Sequence, residues 1–146
     1  LGYAIGRVGC FLNGCCYGRP THGPWGVVFP PDSFAGLAYG SQPLHPAQLY
    51  FSGAGLAVFL LAWAVRRRLR VPGTLFWGVI ALLAAVRIPL DLTRAYEASA
   101  VVAVAGPVAV TESQVTSLSA LLFSLLMILR LRRRAQPGPA PGPGAP

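Results

Sequence analysis

Arg7 and Arg19 bracket a run rich in glycine and cysteine, Gly6-Arg7-Val8-Gly9-Cys10-Phe11-Leu12-Asn13-Gly14-Cys15-Cys16-Tyr17-Gly18-Arg19. A guanidinium keeps its charge and is costly in hydrocarbon, so an arginine beside apolar helix residues takes an anionic partner or faces a polar cavity. At a bilayer surface that anion can be a lipid phosphate, which a guanidinium meets with paired N–H donors. Gly6 and Gly9 keep the backbone around Arg7 bare enough for a bulky headgroup to approach. A lone arginine in this setting also reads as one that snorkels to the interface or pairs with a buried carboxylate.

A second charged set, Arg87, Asp91 and Arg94, is spaced by four and three residues. On a helix that spacing stacks them along one face as a plus, minus, plus ladder, able either to orient two guanidiniums or to compensate itself as a structural intramembrane ion pair. Pro89 lies between them and removes a backbone donor, freeing the carbonyl of Ala85 and inviting a kink.

His45-Pro46-Ala47-Gln48-Leu49-Tyr50 is the third group. Histidine can take or give a proton near neutral pH, which makes His45 a candidate acid or base. The plainer alternative is that His45, Gln48 and Tyr50 cap a helix and hydrogen-bond a loop, with Tyr50 in the interfacial aromatic belt.

Cys10, Cys15 and Cys16, with His22, have the element types of a zinc site. Adjacent Cys15 and Cys16 are expected to be poorly placed to share one tetrahedral ion, and there is no C-x-x-C pair. Small-residue packing or a redox-active thiol is the preferred expectation, and neither a metal nor another cofactor is expected.

The elements that must position these residues follow from composition. The chain has 146 residues, is 54% hydrophobic and only 11% charged, with its apolar residues in long runs. That is a membrane composition. Its formal charge of +8 comes from 12 arginines and no lysine, eight of them in two clusters directly after apolar runs. Such clusters are topology signals, and without a basic face interleaved with aromatics they exclude a nucleic-acid partner. Three cysteines do not define an extracellular disulfide framework. No signal peptide is visible, and a chain that starts inside an apolar segment reads as the later part of something longer.

Residues 1–13 look like the end of a partial span, and 47–65, 74–94 and 113–131 like full spans. Residues 15–44, rich in Gly and Pro, form a long loop. Residues 98–110 are short, β-branched and broken by Gly106-Pro107, so an interfacial hairpin or re-entrant element is expected there. Ser117, Ser119, Ala120 and Ser124 would let a neighbouring helix approach the last span closely. The Pro/Gly/Ala tail, 135–146, should be a disordered cytoplasmic segment after a transmembrane domain over 1–134. The fold class is therefore all-α: a polytopic membrane helix bundle with a long outer loop. The positive-inside rule puts both arginine clusters and the C-terminus in the cytoplasm, so the polar groups face outward.

Taken together, these residues resemble the prolipoprotein diacylglyceryl transferase family of bacterial inner-membrane enzymes. The stretch from Gly6 to Arg19 is similar to the family signature G-R-x-G-N-F-x-N-G-E-x-x-G-R, with Gly6, Arg7, Gly9, Phe11, Asn13, Gly14, Gly18 and Arg19 in place. His45 to Tyr50 resembles the family's H-P-x-Q-L-Y-E, with Phe51 at the terminal glutamate. Arg87, Asp91 and Arg94 resemble its late R-x-x-x-E-x-x-R element. The departures are Cys10 at the family's asparagine, Cys15 at its glutamate and Asp91 at the later glutamate, while the family's earlier spans and His-Gly-Gly motif have no counterpart here.

The resemblance implies transfer of the diacylglyceryl group of phosphatidylglycerol to the lipobox cysteine of a prolipoprotein signal peptide, releasing glycerol phosphate. By carry-over Arg7 binds the headgroup phosphate, Arg87 and Asp91 complete the polar site with Arg94, Asn13 and Arg19, and Gly18 permits the turn. His45 is the candidate proton acceptor. The alternative is a non-catalytic membrane module that binds anionic lipid headgroups or a partner helix through Arg7 and Arg94.

Overall fold

Uncharged apolar runs of about the length needed to cross hydrocarbon dictate the architecture. The computed structural model describes residues 1–96, 101–105 and 108–135. Its helices are α1 (Gly2–Leu12), α2 (Phe34–Tyr39), α3 (Ala47–Val65), α4 (Thr74–Asp91) and α5 (Glu112–Ala135), with strands β1 (Val101–Ala105) and β2 (Val108–Thr111) between the last two helices. Of the tail expected to be disordered, Ala135 closes α5, and 136–146 lie outside the described residues.

Three helices, α3, α4 and α5, are long and apolar enough to span a membrane. At about 1.5 Å per residue, α3 is close to the ~30 Å hydrocarbon thickness. It begins after Pro46, whose missing N–H costs nothing at a helix start, and ends where Arg66 begins the charged cluster. Gly73 starts α4 at φ +83°, a left-handed conformation that glycine adopts without strain.

Helix α1 packs on α3, α3 on α4, and α4 most extensively on α5. The contacts are made through small residues. A Cβ on Gly55 would sit 2.7 Å from the Tyr3 ring, and Ser52 Oγ donates to the Ala4 carbonyl at 2.8 Å. Thr74, Ala81 and Ala84 of α4 are buried, as are Ser117 and Ser124 of α5, whereas Ser119 points outward. The serine hydroxyls donate to carbonyls one turn back in their own helix, so they bring no unpaired donor into the seam. Meanwhile Leu60, Trp63, Phe76 and Leu122 are exposed. An apolar exterior around a small-residue interior is what a bundle dissolved in lipid requires. The chain is an all-α, multi-pass membrane helix bundle.

The long loop is a packed lobe rather than an open strap. Phe29, Ala35 and Leu44 form its core, flanked by Phe11, Tyr17, Val27 and Tyr39. Ser33 caps α2 by accepting the Gly36 N–H at 3.0 Å. Beyond α4, β1 and β2 pair antiparallel, with Ala103 opposite Val110 and Ala105 opposite Val108, which is the hairpin among the two forms expected.

The span expected over 74–94 does not reach Arg94 as a helix. Helix α4 ends at Asp91, where the N–H groups of Leu92, Thr93 and Arg94 bond three residues back and tighten the turn. Arg94 then pairs in extended form with Gly18. The Arg87, Asp91, Arg94 ladder is therefore broken after its second rung.

Both arginine clusters lie at one end of the bundle. A cleft there is lined jointly by Val65 and Leu69, by Thr74 and Leu75, and by Ile128 and Arg132. The start of α3, the end of α4 and the start of α5 consequently meet at the opposite end, which carries the polar residues.

Candidate functional site

Gly18 is the point where three distant segments close on one another. Its N–H donates to the His45 carbonyl at 3.0 Å, while the N–H of Arg19 donates to the Thr93 carbonyl at 2.9 Å. In return the His45 N–H donates to the Arg19 carbonyl at 3.0 Å. A Cβ at Gly18 would lie 2.5 Å from His45 Cβ and 2.7 Å from the Thr93 carbonyl oxygen, so no side chain fits. Arg19 adds a side-chain fastening, donating from Nε to the Arg94 carbonyl at 3.0 Å.

On the far side of that seam, Asp91 is 2% exposed. One of its carboxyl oxygens accepts from the Tyr96 hydroxyl at 2.5 Å and the other from the Thr111 hydroxyl at 3.2 Å. Arg94 Nη1 donates to the same Tyr96 oxygen at 3.2 Å, and its guanidinium carbon lies 4.8 Å from the Tyr96 ring centroid. Among the described residues neither Arg87 nor Arg94 forms a direct ion pair with Asp91; Tyr96 stands between Asp91 and Arg94 as a relay. Burial first, and the bond to Asp91 second, push the Tyr96 phenol above its ordinary value of 10.0. Arg94 Nε is buried without a partner, leaving one charged donor unspent.

Arg87 turns the other way. Its Nε donates to Ser113 Oγ at 2.9 Å, at the start of α5, and its side chain borders a cleft of about 230 Å³. The rest of that lining is apolar or small: Ile80, Leu83 and Ala84 from α4, Thr116, Ser117 and Ala120 from α5, and Tyr3 from α1. Arg7 stacks on the same Tyr3 and on Phe51, its guanidinium carbon 5.1 Å from each ring centroid. Such stacking holds the charge while leaving the N–H edge open, at about 0.5–2 kcal/mol per contact. Tyr3, on which Arg7 stacks, thus lines the same apolar cleft that Arg87 borders. That arrangement suits an amphiphile with an anionic head.

His45 is half-buried, its Nδ1 3.3 Å from the Tyr50 hydroxyl and its ring stacked on Trp25 at 6.5 Å. Asn13 caps α1 through its backbone N–H, and its side chain is exposed. The structure thus joins Gly18, Arg19, His45 and Arg94 through one backbone seam, sets Arg7 against Tyr3 and Arg87 along the cleft that Tyr3 lines, and leaves Asn13 apart at the helix end.

The thiols overturn an expectation. Sγ atoms of Cys10, Cys15 and Cys16 all lie within 4.8 Å of one another, although Cys15 and Cys16 are adjacent. Gly14 at φ +64° and Cys16 at φ +58° are both left-handed, which reverses the chain after α1 and returns both side chains toward Cys10.

Gln48, expected to hydrogen-bond the loop, does so: it is fully buried, and its Nε2 donates to the Cys15 carbonyl at 2.7 Å. Tyr96, Thr111 and Ser113 carry the site without having been singled out for it. They offered no signal, since their partners lie across the fold.

The family described as prolipoprotein diacylglyceryl transferase matches residues 1–130. A phosphatidylglycerol--prolipoprotein diacylglyceryl transferase of Geobacter sulfurreducens is 40% identical over 95 residues, covering 64% of this chain and 34% of the relative. The protein of the same name from Cupriavidus metallidurans is 45% identical over 73 residues, 49% of this chain and 25% of the relative. That from Pseudomonas fluorescens is 39% identical over 97 residues, 61% of this chain and 35% of the relative. The chain thus spans about a quarter to a third of the length of these relatives. No solved structure matches.

Proposed function

The chain belongs to the prolipoprotein diacylglyceryl transferase family, and from that premise we propose that it forms the headgroup side of an active site that lipidates prolipoproteins. The donor is phosphatidylglycerol and the acceptor is the lipobox cysteine of a prolipoprotein signal peptide. In the reaction the cysteine sulfur forms a C–S bond to the terminal glycerol carbon of the diacylglyceryl group, the C–O bond from that carbon to phosphate breaks, and glycerol phosphate leaves. The thiol proton passes to a base.

The observation that carries this reading is an apolar cleft bordered by Arg87 and lined by Tyr3, the ring on which Arg7 stacks. Acyl chains suit the Ile80, Leu83 and Ala84 wall, and the phosphate suits the guanidiniums, which offset the charge that grows on the leaving group. Arg94, with its unspent Nε donor, supplies a further cation beside Tyr96. Asp91 fixes Tyr96 and through it Arg94. Gly18 and Arg19 hold the signature loop against His45, and Asn13 sits at its entrance. His45 is the proton acceptor in this scheme, with Tyr50 orienting its ring through Nδ1.

The protein sits in the bacterial inner membrane, with the arginine clusters and C-terminus cytoplasmic and the polar end facing outward. The test is incubation of purified protein with phosphatidylglycerol vesicles and a lipobox peptide, followed by mass spectrometry of the peptide. A thioether-linked diacylglyceryl adduct is expected; retention of phosphatidylglycerol without product would identify a lipid-binding module instead.

A further inference from the structure

The geometry points to a three-thiolate binding site for one thiophilic metal ion, copper(I) by preference, formed by Cys10, Cys15 and Cys16. Two of these positions, Cys10 and Cys15, are where the chain departs from the signature of its family. Three observations converge on it.

The first is spacing. All three Sγ atoms lie within 4.8 Å of one another. Thiolates about 2.3 Å from a common metal stand roughly 4 Å from one another, so closure on an ion needs only small rotamer adjustments. No disulfide joins any of them.

The second is that the loop conformation producing the convergence is held by hydrogen bonds of the backbone and of Gln48. Cys16 occupies a left-handed backbone conformation, φ +58°, which costs a side-chain-bearing residue on the order of 1 kcal/mol or more. Several bonds hold this arrangement: Gln48 Nε2 grips the Cys15 carbonyl at 2.7 Å, the Cys15 N–H donates to the Cys10 carbonyl at 3.1 Å, and the Gly18 N–H is locked to His45. The donors are therefore preorganised by the fold, which reduces the ordering cost of binding.

The third is the donor set itself. Thiolate sulfur is soft and selects copper(I) or zinc over hard cations. Among the described residues no histidine or carboxylate joins the three thiols as a fourth ligand. Structural zinc takes four protein ligands, whereas copper(I) is satisfied by three sulfurs in a plane. Arg7, three residues before Cys10, lies on the same face of α1 and offsets the negative charge of the assembled thiolates.

The experiment is anaerobic titration of the purified, reduced full chain with copper(I) held by a chromophoric chelator, and in parallel with zinc(II). One equivalent of copper(I) should pass to the protein, with ultraviolet charge-transfer absorption and sulfur-only coordination by X-ray absorption, and with zinc bound at least tenfold more weakly. The C10N/C15E double variant installs the residues that the family signature has at these positions. It should keep the helical circular-dichroism signal and lose copper transfer, and C16A should weaken it at least tenfold. Absence of copper transfer, transfer unchanged in the double variant, or zinc bound as tightly as copper(I), would each overturn the assignment.

Discussion

Gln48 and Cys15, one inside the first turn of α3 and the other in the signature loop, are joined by a 2.7 Å hydrogen bond from side-chain amide to backbone carbonyl. The amide is fully buried and its Oε1 has no partner. The loop that presents Cys15 to Arg19 is thereby anchored to a membrane-spanning helix rather than to solvent. Gln48→Leu should leave the Cys15 carbonyl unpaired and destabilise the protein by about 1–3 kcal/mol. Chemical denaturation in detergent measures it, and an unchanged midpoint would remove Gln48 from the anchoring role.

Gly18→Ala is expected to be more damaging. Its Cβ would meet His45 Cβ at 2.5 Å and the His45 and Thr93 carbonyl oxygens at 2.6 and 2.7 Å, so two backbones must separate. A loss of about 3 kcal/mol follows, together with protease sensitivity in residues 15–20. Limited proteolysis reads the second effect directly. Gly53→Ala is the control for space alone, since nothing lies within 4 Å of that position and its backbone is not left-handed.

Tyr96→Phe removes the hydroxyl that relays Asp91 to Arg94. Asp91 keeps only Thr111, and stability should fall by about 1–3 kcal/mol. The pH dependence has a definite sign. Because the folded phenol titrates above 10.0, its contribution is intact below that value and is lost as pH rises through the higher folded value. The tyrosinate absorbance of wild type minus Tyr96→Phe should therefore rise later than that of a free phenol; a difference curve centred at or below 10.0 would contradict the buried relay.

The spans were readable because a long uncharged run has few alternatives in water or lipid, and α3 stops where the arginines begin. Small residues likewise announced the α4–α5 seam through Ser117 and Ser124. Arg94 was misjudged for a physical reason: helical spacing is local information, while its pairing with Gly18 joins residues about half the chain apart. The thiols were misjudged similarly, since a left-handed Cys16 is imposed by its anchors and carries no mark in the sequence. Tyr3 gave no sign either, being one tyrosine in an apolar segment until α4 and α5 are brought beside it.

Ser113→Ala frees Arg87 Nε, which donates to the Ser113 hydroxyl at 2.9 Å. If that bond positions the guanidinium at the cleft, the variant should raise the phosphatidylglycerol concentration needed for half-maximal transfer about 3–10-fold, matching the ~1 kcal/mol of an ordinary hydrogen bond. Steady-state transfer at varied lipid fraction measures it. Unchanged lipid dependence would show that Arg87 holds its place without α5.

In the proposed reaction Arg7, stacked on Tyr3, and Arg87, which borders the cleft that Tyr3 lines, together stabilise the leaving phosphate. The decisive measurement is lipidation of a lipobox peptide by wild type, Arg7→Ala, Arg87→Ala and the double variant, each verified as folded. Each single substitution should slow transfer about 100-fold or more, as removal of one charge-stabilising donor does, and the double variant should lose less than the product of the two. Transfer at the wild-type rate by folded Arg7→Ala protein would contradict the account.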